Sequence, residues 1–130
     1  MPKSSKPRSF AWKDVEEEWL NPKISRRMVI GENAMLARLI LKKGSFVPPH
    51  KHISEQISSV VAGSLEFKFG RKSVKVGPGE VLVIPPNVVH SALALEDTDA
   101  IDAFSPLRED WLSGDDSYLR TGKSTLNRRR

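Results

Sequence analysis

Between residues 25 and 105, apolar and polar residues alternate in short runs broken by turn-forming residues. Alternation with a period of two puts every second side chain on one face, the signature of half-buried β-strands. The runs are Ser25–Ile30, Met35–Leu41, Ser45–His50, Gln56–Ala62, Ser64–Phe69, Ser73–Val76, Val81–Ile84, Ser91–Leu95 and Ala100–Ser105. Turn signals separate them at Gly31-Glu-Asn33, Lys43-Gly44, Gly63, Gly70, Gly77-Pro-Gly79, Pro85-Pro-Asn87 and Glu96-Asp-Thr-Asp99. So many short strands predict an all-β sandwich or barrel. Ahead of them, Trp12–Leu20 predicts a short helical or irregular lead-in, ended by Asn21-Pro22. After them, Arg108–Arg120 predicts a short helix or loop across the barrel, and disorder is expected beyond Thr121. No internal repeat is visible.

Length and composition narrow the class. A chain of 130 residues forms one domain with a core of its own. Without cysteine it has neither disulfides nor thiolate ligands. No apolar run approaches the roughly 18 residues of a membrane span, and no hydrophobic segment follows the basic N-terminus, so a cytoplasmic protein is expected. The net charge of +5 is a property of the ends. Lys3, Lys6 and Arg8, with Lys123, Arg128, Arg129 and Arg130, supply seven positive charges, leaving 14 basic against 16 acidic residues in the body. Residues 1–9 and 121–130 are therefore expected to be flexible basic tails around a domain spanning 10–120. No aromatic-rich basic face accompanies them, so nucleic-acid binding is not expected.

All three histidines fall in two short motifs. The first runs Gly44-Ser-Phe-Val-Pro-Pro-His50-Lys-His52-Ile-Ser-Glu55-Gln56 and closes at Gly63; the second runs Gly79-Glu-Val-Leu-Val-Ile-Pro85-Pro-Asn87-Val-Val-His90. In an extended strand His50, His52 and Gln56 share a face, while Lys51, Ile53 and Glu55 look the other way. Two imidazoles one residue apart can converge on one ion; His90 can add a third nitrogen and Gln56 an oxygen. Such a set suits Zn, Ni, Fe or Mn without selecting among them.

The two motifs resemble those of the cupin superfamily, Gly-x5-His-x-His-x3-Glu-x6-Gly and Gly-x5-Pro-x-Gly-x2-His. That resemblance implies a jelly-roll barrel. It departs from the pattern twice: Gln56 stands at the fourth ligand position, with Glu55 one place early, and Asn87 replaces the turn glycine. Asparagine tolerates a left-handed backbone.

A second group follows the last strand: Asp102-Ala-Phe104-Ser-Pro106-Leu-Arg108-Glu-Asp110-Trp111. If Asp102 and Phe104 face the interior, a carboxylate, an aromatic plate and a guanidinium gather near the histidines. A buried acid is a proton-transfer candidate, and arginine can grip a carboxylate with two parallel hydrogen bonds. Phe104 could pack on a sugar face. Equally, Asp102 and Arg108 could pair with each other and fasten the C-terminal segment. From about Trp12 to Tyr118 the chain resembles the pectin-degradation cupins. That resemblance implies a metal held by His50, His52, Gln56 and His90. It further implies Asp102, Phe104 and Arg108 as catalytic residues, converting 4,5-unsaturated monouronates to linear 4-deoxy-5-keto uronates. It also implies a homodimer, for which the apolar runs near the N-terminus are suited. Three other readings stay open: a metal-dependent dioxygenase, a lyase, and a non-enzymatic sugar-acid-binding module. Elsewhere, Arg38 is expected on the outer face, Glu55 in a structural hydrogen bond or ion pair, Trp111 and Tyr118 as anchors of the C-terminal segment, and Glu16–Glu18 on a solvated face.

Overall fold

The structure, a computed structural model, describes residues 6–124 and 126. Ten strands are present: β1 (Glu18–Asn21), β2 (Ile24–Ile30), β3 (Met35–Leu41), β4 (Phe46–His50), β5 (Glu55–Ala62), β6 (Leu65–Phe69), β7 (Lys72–Val76), β8 (Val81–Ile84), β9 (His90–Ala94) and β10 (Thr98–Ser105). They form two antiparallel sheets, ordered β1-β2-β3-β10-β5-β8 and β4-β9-β6-β7. Two short helices follow, α1 (Glu109–Leu112) and α2 (Ser117–Thr121). Two facing antiparallel sheets of this kind make the jelly roll that the motifs imply.

Alternation does what the pattern predicts. Along β3 the odd-numbered Met35, Ala37, Leu39 and Leu41 are buried; along β10 the even-numbered Thr98, Ala100, Asp102 and Phe104 are. β10 lies between β3 and β5, opposing Asp102 to Ala37 and Ser58, and Phe104 to Met35 and Gln56. Burial of each large apolar side chain contributes about 1.5–3 kcal/mol. A polar trio, Gln56, Ser58 and Asp102, interrupts this apolar interior at one end of the barrel. On the outer face, Arg38 holds Asp99 with two hydrogen bonds (2.9 and 2.6 Å), as its expected orientation requires.

Several expectations need correction. The lead-in is a 3-10 turn at Trp12–Asp14 followed by strand β1, which pairs with β2. Asn21 and Pro22 are part of the hairpin between those strands, where Asn21 Oδ1 accepts from the Lys23 amide (2.7 Å). Glu17 and Glu18 are not a merely solvated run, since Glu17 accepts from Ser25 and Glu18 pairs with Arg26 and Arg120. The Glu55 side chain is exposed and makes no hydrogen bond or ion pair among the described residues. Near the ends, Arg8 donates to the Ile30 carbonyl, Thr121 closes α2, and Ser124 Oγ donates to the Pro49 carbonyl (2.6 Å), contacts that do not decide the expected tail boundaries. Of the other charges of the expected tails, Lys6 and Lys123 are described, while Lys3, Arg128, Arg129 and Arg130 lie outside the described residues. No helix among the described residues is long and apolar enough to cross a membrane.

Two turns explain motif positions. Asn87 has φ 64°, the left-handed geometry expected of the residue that replaces the turn glycine. Gly63 has φ +90°, and a Cβ there would lie 2.3 Å from the Asp97 carbonyl oxygen, so no other residue fits where β5 ends.

Candidate metal centre

His50 and His90 oppose each other across the β4–β9 pair, which brings their ring centroids to 4.2 Å. His52 reaches the same point by a different route from the one parity suggests. The chain leaves the smaller sheet at His50, bends through residues 51–54, and joins the larger sheet at Glu55. The three imidazoles and Gln56 thus converge from both sheets, not along one continuous strand. The Asn87 amide donates to the His52 carbonyl (2.8 Å), tying this bend to the second motif.

The backbone settles which ring nitrogen is available. Each Nδ1 lies 2.8–2.9 Å from a carbonyl oxygen: His50 from Pro48, His52 from Ser54, His90 from Val88. Nδ1 must therefore carry the proton, leaving a lone pair on each Nε2. Burial lowers all three pKa values, with neighbouring positive charge assisting: His50 to about 2, His52 to about 4, and His90 in the same direction. At neutral pH the rings are uncharged and the lone pairs free.

Three observations then fit a metal ion. The ring nitrogens available as ligands lie within 4.8 Å of one another. His90 Nε2 is buried without a hydrogen-bond partner, an arrangement native interiors rarely leave. The Gln56 amide nitrogen donates to Ser58 Oγ (2.9 Å) and lies 3.4 Å from Asp102 Oδ2, so its carbonyl oxygen faces His52 Nε2 at 3.0 Å. Those last two atoms are both acceptors, and a shared cation removes their repulsion. His50, His52 and His90 form a cluster able to hold a metal ion.

Asp102 lies behind Gln56. It is 7% exposed, and burial raises its pKa from 3.8 to about 6, although a Ser58 hydrogen bond and the Arg108 field act the other way. A carboxyl so poised can gain and lose a proton near neutrality. Asp102 and Arg108 do not pair: Arg108 Nε and Nη2 instead hold both oxygens of Asp110 (2.9 and 2.7 Å). The guanidinium lies over Phe104 and Trp111, 5.0 and 4.4 Å from their centroids. Phe104 is not an open plate. It is 2% exposed, with edge contacts to His52 and Trp111, and buttresses the site from within.

A cavity of about 520 Å³ opens over the cluster, between the motif-one bend and the C-terminal segment, and a smaller one of about 50 Å³ continues inward to Gln56, His90 and Asp102. The outer volume suits a small molecule. Tyr118, expected only as an anchor, lines both cavities and stacks on His50 with ring centroids 4.8 Å apart. No spacing pattern in the sequence links it to His50; its being the single tyrosine is the one available signal.

Fold and site together define the class, and comparison agrees. The cupin domain family profile matches residues 37–101, and the chain belongs to that family. Within it, the chain is similar to the pectin degradation protein KdgF of Dickeya dadantii, 33% identical over 104 residues that cover 76% of this chain and 94% of that protein. The structure of KdgF from Halomonas sp. matches with a TM-score of 0.72 at 31% identity, covering 78% of this chain and 97% of that one. An RmlC-like cupin from Shewanella frigidimarina matches with a TM-score of 0.73 at 29% identity, covering 82% and 96%.

Proposed function

We propose that this cupin holds one divalent transition metal through His50, His52, Gln56 and His90 and opens the ring of a 4,5-unsaturated monouronate. The observation that carries this reading is the buried Asp102, which sits against Gln56 with its pKa raised to about 6. Similarity to KdgF, named for pectin degradation, points to the substrate class. All four donors are neutral, so a divalent ion there keeps its full charge and supplies Lewis-acid polarisation of a substrate oxygen.

The reaction is an isomerisation, and its protons balance within the substrate. Asp102 takes the proton of the anomeric hydroxyl, the bond from C1 to the ring oxygen breaks, and C1 becomes an aldehyde. The electron pair left on the former ring oxygen makes an enolate, which collapses to the C5 ketone as Asp102 returns the proton to C4. One carboxyl with a pKa near 6 serves as base and then acid. Arg108 supplies positive charge beside the site, and Phe104 fixes the positions of His52 and Arg108.

The test is proton NMR of 4,5-unsaturated monogalacturonate incubated with metal-loaded protein. The vinyl C4 proton should give way to a C4 methylene faster than in buffer, and Asp102→Asn should abolish the acceleration while keeping the metal. No acceleration with Zn, Ni, Fe or Mn would sink the proposal.

A further inference from the structure

We infer that the Tyr118 hydroxyl and Nη1 of Arg108 together receive the carboxylate of the ligand. This deepens the proposed function and rests on its assignment of a sugar acid to this cavity. Arg108 is already engaged on its carboxylate-gripping side. Its Nε and Nη2 edge, the fork that grips carboxylates, is taken by Asp110. The second hydrogen of Nη2 goes to Tyr118 Oη (2.5 Å). Only Nη1 is without a protein hydrogen bond among the described residues, so the guanidinium offers a ligand one nitrogen, not two.

Tyr118 supplies what is missing. Its oxygen accepts from Arg108 Nη2 and from Trp111 Nε1 (3.0 Å). Neither group can accept a hydrogen bond, so both must be donors and the phenol's own hydrogen is left over. No described residue accepts it. The ring is stacked on His50 and lines the cavity that His50 and Arg108 also line. The hydroxyl is thus a fixed donor beside Nη1 of Arg108 and above the imidazoles. An O–H and an N–H held side by side match the two oxygens of a carboxylate.

Because Tyr118 is the only tyrosine in the chain, its state can be read directly. In zinc-loaded protein labelled with tyrosine carrying ¹³C at Cζ, the single resonance should shift when galacturonate, a non-reacting saturated uronate, is added. It should stay put with galactose, which lacks the carboxylate. Tyr118→Phe should weaken galacturonate binding about ten- to hundredfold, the range of one hydrogen bond to a charged group, with zinc content unchanged. A structural role alone would move the zinc content or affect both sugars alike. A resonance that stays put while galacturonate binds, equal affinity in the variant, or no galacturonate binding by the wild type would each overturn the inference. If the shift and the affinity loss appear but unsaturated uronates are not turned over, the carboxylate pair stands and the ring-opening reading falls.

Discussion

Replacing Asp102 with asparagine should stabilise the metal-free protein at neutral pH and cost it activity. The carboxyl is buried, and its folded pKa of about 6 lies above its ordinary 3.8. Between those values the folded protein binds more protons than the unfolded chain, so stability falls as pH rises through that window. At about 1.36 kcal/mol per pH unit, the gap corresponds to about 3 kcal/mol, present as a penalty above pH 6 and absent below pH 4. Asparagine removes the charge. It also leaves one of the two donors facing this position, Ser58 Oγ and Gln56 Nε2, with a weaker partner, at a pH-independent cost of about 1 kcal/mol. The histidines act in the opposite sense. Their lowered pKa values make wild type and variant alike lose stability as pH falls below about 6.5, and those contributions cancel in the difference. Urea unfolding of chelator-treated protein, at intervals from pH 4 to 8, isolates the Asp102 contribution. The variant-minus-wild-type stability should climb by about 3 kcal/mol across that range. A flat difference, or one that falls with pH, would refute the placement of this carboxylate in a water-poor interior.

Two further outcomes follow from the geometry. Gly63→Ala should destabilise the fold by more than about 2 kcal/mol in thermal or urea melts, because the added Cβ meets backbone atoms of Asp97 and Thr98 and φ is +90°. Stripping the metal should abolish galacturonate binding by calorimetry even with Arg108 and Tyr118 intact. Without the ion the outer cavity carries Lys51 and Arg108 against Glu109, Asp110 and Asp115, a balance unfavourable to an anion.

What the sequence made legible were the positions set by local motif spacing. That His50, His52, Gln56 and His90 come together in space was readable, because motif spacing fixes where they meet. They do not converge along one extended strand, because that strand is broken by a bend in which Ile53 is 72% exposed. Strand β1 was missed because only Leu20 of its four residues is buried and Trp19 is half exposed, so no alternation marks it. The Asp102–Arg108 pairing was a fair alternative from spacing, yet Asp110, two residues from Arg108, is nearer and takes the fork. Tyr118 depends on α2 returning over His50, a contact between residues 68 positions apart that no periodicity encodes.

Elemental analysis of the purified protein beside a His90→Ala variant tests the central claim most directly. Of the proposed ligands, His90 is the one whose Nε2 is buried without a partner, and truncation leaves His50 and His52 in place. The wild type should hold about one equivalent of a divalent transition metal, after reconstitution if necessary, and the variant should lose it. A wild type that takes up no metal, or a variant that holds it as tightly, would contradict the account.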